Sequence, residues 1–426
     1  MKASVLAVAA LAVAQATFAD PEITSLEVTQ NNCKVVTIDF TLSERAILTM
    51  DFTTNGVSIG AENYRKVHDA QSESMEYPAN KVVSAGRHVF MWRSSREWPG
   101  YVFTNGEFAV DMKAWKLDSP PDYMVLDLVT KSNRWFYASA ADLPDGGIKT
   151  ADTNDAVAIA ELTNDVYRTT KLVMRRIPAA GNKWRMGSPT SETSWRSDTE
   201  VLHYVTLSED YYIGIYTLTK WQAKVSGAEP YSAYETVALN NLSYDFFRGT
   251  PDTNNYNWPE HGHAVSPSSS LGLLRARTGI ALDFPTEAQW EYACRAGTSG
   301  ALNDGTVNYS AEPGKALGWS SDNNAPTVMT VGLLKPNAWG LYDMHGNVWE
   351  WCLDQWGTPA STPQIDPKGA EDNMSKRVLK GGTYRTSLVR GRSAARRGEP
   401  TSSRYDSGFN GFFGIRLCCP ITGVAE

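Results

Sequence analysis

The chain has 426 residues, which at ~100–200 residues per domain suggests two or three domains. It is 42% hydrophobic and 20% charged, so it can bury a sizeable core and is not a disordered tail. Its formal net charge of −7 argues against nucleic acid as the main partner.

The first twenty residues, MKASVLAVAALAVAQATFAD, have the shape of a secretory signal peptide. Lys2 supplies the positive start, Val5 to Ala14 the apolar segment, and Thr17 and Ala19 the small residues at −3 and −1 for cleavage after Ala19. The expectation is a leader over 1–19 and a secreted or periplasmic mature protein. No later stretch approaches ~18 apolar residues, so no membrane span is expected. Export permits disulfides. The chain holds five cysteines, Cys33, Cys294, Cys352, Cys418 and Cys419, so one is left over, and no pair has zinc-ligand spacing.

Residues 20–117 read as an all-β sandwich of immunoglobulin or fibronectin type. Val36, Ile38, Phe40 and Leu42 alternate with Thr37, Asp39 and Thr41. Leu48, Met50 and Phe52 alternate with Thr49 and Asp51. Period two means one buried and one wet face. Asn55-Gly56, Ala85-Gly86 and Asn105-Gly106 supply turns between strands. The default role of such a module is a spacer. The linker-like KLDSPPDY, 116–123, leads into residues 118–167, which hold one apolar run, Met124 to Val129. They read as a connector or an extra strand pair.

From 168 to 420 the texture is that of an irregular α+β domain, rich in loops. Three short helices are expected. LTKWQAKVSG has Thr219 as N-cap, Gln222 to complete a capping box and Gly227 as the stop. LGLLRARTG closes at Gly279. PTEAQWEYACRAG pairs Thr286 with Gln289 and puts Trp290, Ala293 and Cys294 on one face. No internal repeat is evident.

The stretch GLYDMHGNVWEWC, 340–352, is the most unusual. Asp343 and Glu350 are carboxylates seven apart, with Gly346-Asn347 between them. Carboxylates plus inward carbonyls are hard oxygen ligands that suit calcium. On spacing alone the plainer reading is a turn anchored by Trp349 and Trp351, because no EF-hand pattern is present. His345 beside a glycine reads as a turn residue, since no partner nucleophile lies near. In the basic run RVLKGGTYRTSLVRGRSAARR, 377–397, arginines that staple loops through carboxylates are favoured over an anion or glycan patch.

Taken together, FPTEAQWEYACRAGT, KPNAWGLYDMHGNVWEWCLD, RVLKGGTY, GRSAARR and the closing GFFGIRL resemble the formylglycine-generating enzyme, or sulfatase-modifying factor, family. WRMGSP and HYVTLSEDYYIGIYTLTKWQ resemble its opening segment. The resemblance covers about 168–420 and implies a fold related to C-type lectins. It also implies a calcium site made by Asp343, the carbonyls of Gly346 and Val348, and Glu350. Asp343 departs from the family's Asn but keeps an oxygen.

The resemblance further implies two cysteines after the glycine turn that hold copper(I) and oxidise a substrate cysteine. This chain has Thr386 and Ser387 there, and no thiol before Arg392. Hydroxyls do not replace thiolates for a soft ion, so copper is not expected. Ser393 stands where the family's partner of Cys294 would be. An iron site of the kind some relatives build from histidines would draw on His203, His261, His263 and His345, of which only His261 and His263 are a close pair. We therefore expect an exported, non-catalytic, calcium-stabilised binding or structural module that recognises a protein or glycan. The alternative is a formylglycine-generating oxidase acting on sulfatases. The sequence does not fix an oligomeric state.

Overall fold

The computed structural model describes residues 20–30, 34–70, 79–97, 108–145, 147–148, 165–193, 196, 199–229, 233–249, 265–307, 311–323, 325–369, 375–406 and 411–425. The expected leader, Cys33, His261 and His263 lie outside them.

Sheets dominate the regular structure, and the helices are short, with Ser270–Thr278 and Glu287–Arg295 at nine residues each. Toward the N-terminus, one antiparallel sheet has the order Ile23–Gln30, Val35–Leu42, Gly86–Arg93, His68–Asp69. A second is built on Ala46–Thr54, which pairs with Val57–Ser58, Lys81–Val83 and Phe108–Trp115. The alternation in the sequence is physical: Val36, Ile38, Phe40 and Leu42 are buried, while Thr37, Asp39 and Thr41 are half-exposed. Both sheets feed one apolar cluster that includes Phe40, Phe52, Phe90 and Trp92.

The sheet at the centre of the remainder is antiparallel throughout, in the order Arg134–Tyr137, Tyr123–Asp127, Lys171–Ile177, Tyr211–Gly214, Cys418–Pro420. Two of its strands come from 118–167, where the sequence suggested a connector or a strand pair. Val125, Val173, Ile213 and Cys418 join one apolar cluster. Met124, Leu126, Leu172, Met174, Tyr212 and Cys419 join another. Alternate residues of one sheet thus enter two cores, which is why Met124, Val125 and Leu126 are apolar in succession and show no alternation.

A second five-stranded sheet carries the chemistry-bearing stretches. Its order is Arg397–Pro400, Lys376–Lys380, Trp349–Gln355, Gly411–Gly414, Tyr405–Asp406. All seven residues of Trp349–Gln355 are buried. The helix Glu287–Arg295 packs against this sheet, with Trp290, Ala293 and Cys294 buried. Thr286 accepts from the Gln289 amide at 3.2 Å, and the Gln289 side chain accepts from the Thr286 amide at 2.9 Å. Both orphan amides of the helix start are thereby satisfied. No helix among the described residues is long and apolar enough to cross a membrane.

Replacing Thr286 with Ala removes an acceptor from a buried helix start. Chemical denaturation should show a loss of about 1 kcal/mol.

Candidate functional site

The 343–348 turn needs left-handed backbone at Asp343 (φ 55°), Gly346 (φ 94°) and Asn347 (φ 61°). At Gly346 a Cβ would lie 1.9 Å from the Trp319 carbonyl oxygen, so glycine is demanded by space as well as by φ. The turn delivers the chain into the buried strand that starts at Trp349.

Glu350 follows at once, and its carboxylate meets the guanidinium of Arg416. Arg416 Nη2 donates to Oε1 at 2.8 Å and Nε to Oε2 at 2.9 Å. Thr217 Oγ1 donates to Oε1 at 2.9 Å and Trp290 Nε1 to Oε2 at 2.5 Å. Arg416 spends its other hydrogens on the carbonyls of Gly214, Ile215 and Tyr342. Both residues are fully buried. Geometry of this quality is what makes a buried pair tolerable.

The expected calcium ligands split on this geometry. Glu350 accepts four hydrogens, two on each oxygen, which fills its lone pairs. It serves Arg416 and does not fit the role of a calcium ligand. Asp343 is different: Oδ2 accepts from the Gly332 amide at 2.7 Å, but Oδ1 is buried with no partner. Burial pushes its carboxyl up to about 6, against the smaller pulls of the Gly332 amide, Arg416 and Arg168. An unmatched buried carboxylate oxygen fits a hard cation. Among the described residues, no group of three or more His, Cys, Asp or Glu side chains converges as a metal site.

His345 is fully buried, and both ring nitrogens are engaged. Nδ1 lies 2.7 Å from the Gly391 carbonyl oxygen, and Nε2 lies 3.1 Å from the Asn303 amide. Nδ1 therefore carries the proton and Nε2 accepts. Burial drives its pKa down to about 4. The ring is a neutral clamp between three loops, as its place beside Gly346 suggested. Cys294 Sγ lies 3.7 Å from Ser393 Oγ and 3.9 Å from His345 Nε2. Burial pushes its thiol up to about 12. A thiol and a hydroxyl face each other where the resemblance implied a pair of sulfurs.

At the position implied for the copper cysteines, Thr386 Oγ1 donates to the Thr383 carbonyl at 3.2 Å. Ser387 Oγ donates to Asp322 Oδ2 at 3.1 Å. The described cysteines Cys294, Cys352, Cys418 and Cys419 are all free and buried. Cys418 and Cys419 belong to different apolar clusters on opposite faces of their strand. His203 is buried, with Nδ1 2.8 Å from the Val201 carbonyl.

The basic run staples loops. Arg392 pairs with Glu192 and, at 2.7 Å, with Glu200. Arg396 pairs with Glu287 at 2.7 Å and lies 4.6 Å over the Trp356 ring. Lys380 pairs with Glu291 at 3.0 Å. Burial alone would raise the Glu291 carboxyl, but Lys380 and Arg295 hold it down to about 2. Sequence reasoning missed Arg416, Thr217 and Glu291. Their signal is pairing across 66 to 133 residues, which periodicity does not report.

Residues 179–417 match the family model for the sulfatase-modifying factor enzyme 1-like domain, more than half of the chain. The chain belongs to this family. The formylglycine-generating enzyme of Mus musculus is 34% identical over 140 residues, covering 30% of this chain and 37% of that enzyme. That of Streptomyces coelicolor is 38% identical over 114 residues, covering 24% and 35%. The chain thus spans little more than a third of the length of these relatives. Among solved structures, PvdO from Pseudomonas aeruginosa has a TM-score of 0.45 at 20% identity, over 58% of this chain and 94% of that one.

Two outcomes follow from the geometry of this family member. Glu350→Gln or Arg416→Met leaves a buried partner uncompensated and should each cost about 3–5 kcal/mol, while the double variant should cost less than their sum. His345 has a folded pKa below its unfolded value of 6.5. Its contribution is present above pH 6.5 and lost as pH falls toward 4, on the order of 3 kcal/mol. Denaturant midpoints across that window should fall for the native chain, and His345→Gln should flatten the slope.

Proposed function

We propose that this family member is an exported, non-catalytic binding module that recognises a protein or glycan. The proposal rests on the placement of sulfur. A copper(I) oxidase needs paired thiolates on one ion. At the implied position two hydroxyls stand instead, each donating to a neighbouring acceptor. Cys418 and Cys419 face opposite cores, so they cannot close on one ion without rebuilding the strand. The alternative, a formylglycine-generating oxidase, draws its support from the names of the curated relatives. Incubating purified protein with oxygen, copper and a sulfatase-derived cysteine peptide separates the two. Mass spectrometry should show no aldehyde, and an aldehyde peak would establish the alternative.

The lectin-related and immunoglobulin-like readings of the two regions, and export itself, belong to the same proposal. Lys2, Val5 to Ala14 and Ala19 support export. N-terminal sequencing of protein secreted by a host should begin at Asp20.

Calcium is proposed as a stabiliser held by Asp343 Oδ1, with the carbonyls of Gly346 and Val348 and water completing the shell. It would neutralise a buried carboxylate. Millimolar calcium should raise the Tm of the native chain and leave that of Asp343→Ala unchanged, because a ligand of the folded state alone must stabilise it. No shift in the native chain removes calcium from the account.

A further inference from the structure

The strand Ile23–Gln30 lies at the edge of its sheet. It pairs with Val35–Leu42 on one side, and among the described residues no strand covers the other. Every residue from Thr24 to Gln30 is exposed. An edge of this kind presents unpaired amides and carbonyls to any strand that approaches. Native proteins guard such edges with lysine, proline, short length or a bulge. Ile23–Gln30 holds no lysine and no proline, and Glu27 is its one charge. The opposite edge of the same sheet, His68–Asp69, is only two residues long. On Ile23–Gln30 a break in register between Ile23 and Ser25 disturbs the start and leaves Ser25 to Gln30 as regular strand.

Residues opposite one another across a ladder share a face of the sheet. Leu26 lies opposite Phe40, Val28 opposite Ile38 and Gln30 opposite Val36, which puts these three on the core side. Phe40, Ile38 and Val36 are buried, yet Leu26 is 43% and Val28 37% exposed. The core therefore stops short of its edge strand. Glu27 lies opposite Asp39 on the outer face, where Arg87 donates to Asp39, Nε to Oδ1 at 2.9 Å. A further carboxylate in this row would meet like charge.

These features select a partner and a register. A second copy of the strand, run antiparallel, can face the first about a two-fold axis. Core-side residues meet core-side residues only when even numbers meet even numbers, so the axis falls at a residue and not between two. An axis at Glu27 would set Glu27 against itself, beside both copies of Asp39. An axis at Leu26 would carry the pairing into the break after Ile23, and one at Thr29 would pair only Val28 to Gln30. An axis at Val28 sets Val28 against Val28, Glu27 against Thr29 and Leu26 against Gln30. It also brings both copies of Leu26 and Val28 into one apolar row.

We propose that Ile23–Gln30 is the interface of a homodimer, pairing antiparallel with the same strand of a second copy about an axis at Val28. The paired stretch is short and buries less than the ~1,200–2,000 Å² of stable interfaces, so association is weak and reversible. The dimer stands apart from the binding-module reading and does not depend on it.

Sedimentation velocity of the purified protein from about 1 to 300 µM reads the association, with a Kd on the order of 10–100 µM expected. Val28→Lys sets two ammonium groups together at the axis and should weaken the dimer by about tenfold or more. Thr29 is exposed on the outer face, so Thr29→Lys leaves the core untouched. Its ammonium faces Glu27 of the second copy in this register alone, and the dimer should tighten about threefold. Lysine on an edge otherwise discourages pairing. A native chain that is monomeric throughout that range, a dimer untouched by Val28→Lys, or one that Thr29→Lys fails to tighten overturns the proposal.

Discussion

The pairing of Glu350 with Arg416 is the contact on which the described structure most depends. It is buried on both sides, and its satellites reach every neighbouring layer. Arg416 follows the strand Gly411–Gly414 and donates to carbonyls at the end of the central sheet and in the loop before Asp343. Glu350 receives Thr217 from that same sheet edge and Trp290 from the helix Glu287–Arg295. One ion pair thus joins two sheets, a helix and the strained 343–348 turn. A pair of charges in a low-dielectric interior is stable only when its hydrogens find acceptors, and here those of Arg416 do. The second layer of charge, Glu291 with Arg295 and Lys380, locks the same helix to the same sheet.

That arrangement separates the family's scaffold from the family's chemistry. The scaffold of this chain is made from oxygen and nitrogen contacts. The chemistry that the resemblance implies is made from sulfur, which this chain lacks at the implied position. Cys294 faces Ser393, Thr386 and Ser387 close local hydrogen bonds, and the terminal cysteine pair is divided between two cores. The loops around the absent thiols stay ordered by arginine and histidine clamps, with His345 neutral between Gly391 and Asn303. Fold and reaction draw on different residues, so membership of the family fixes the first and not the second.

Much of this was legible in the sequence where the signal is local. The alternation in Val35–Leu42 and the capping boxes at Thr219 and Thr286 are short-range devices, and each appears at its expected place. The motif strings identified the family because they are long and ordered. What the sequence hid is long-range or two-sided. Met124 to Leu126 lack alternation because their sheet is buried on both faces, so the segment reads as a connector or an extra strand pair. Glu350 reads as a metal ligand through the family resemblance. Its true partner lies 66 residues away, and no spacing rule points to Arg416.

A titration with copper(I) in the presence of a competing chelator tests the central claim most directly. With the described thiols buried and dispersed, the folded protein should take up no tightly held, stoichiometric copper, before or after alkylation of its thiols. Tight uptake of one ion per chain that alkylation abolishes would contradict the account.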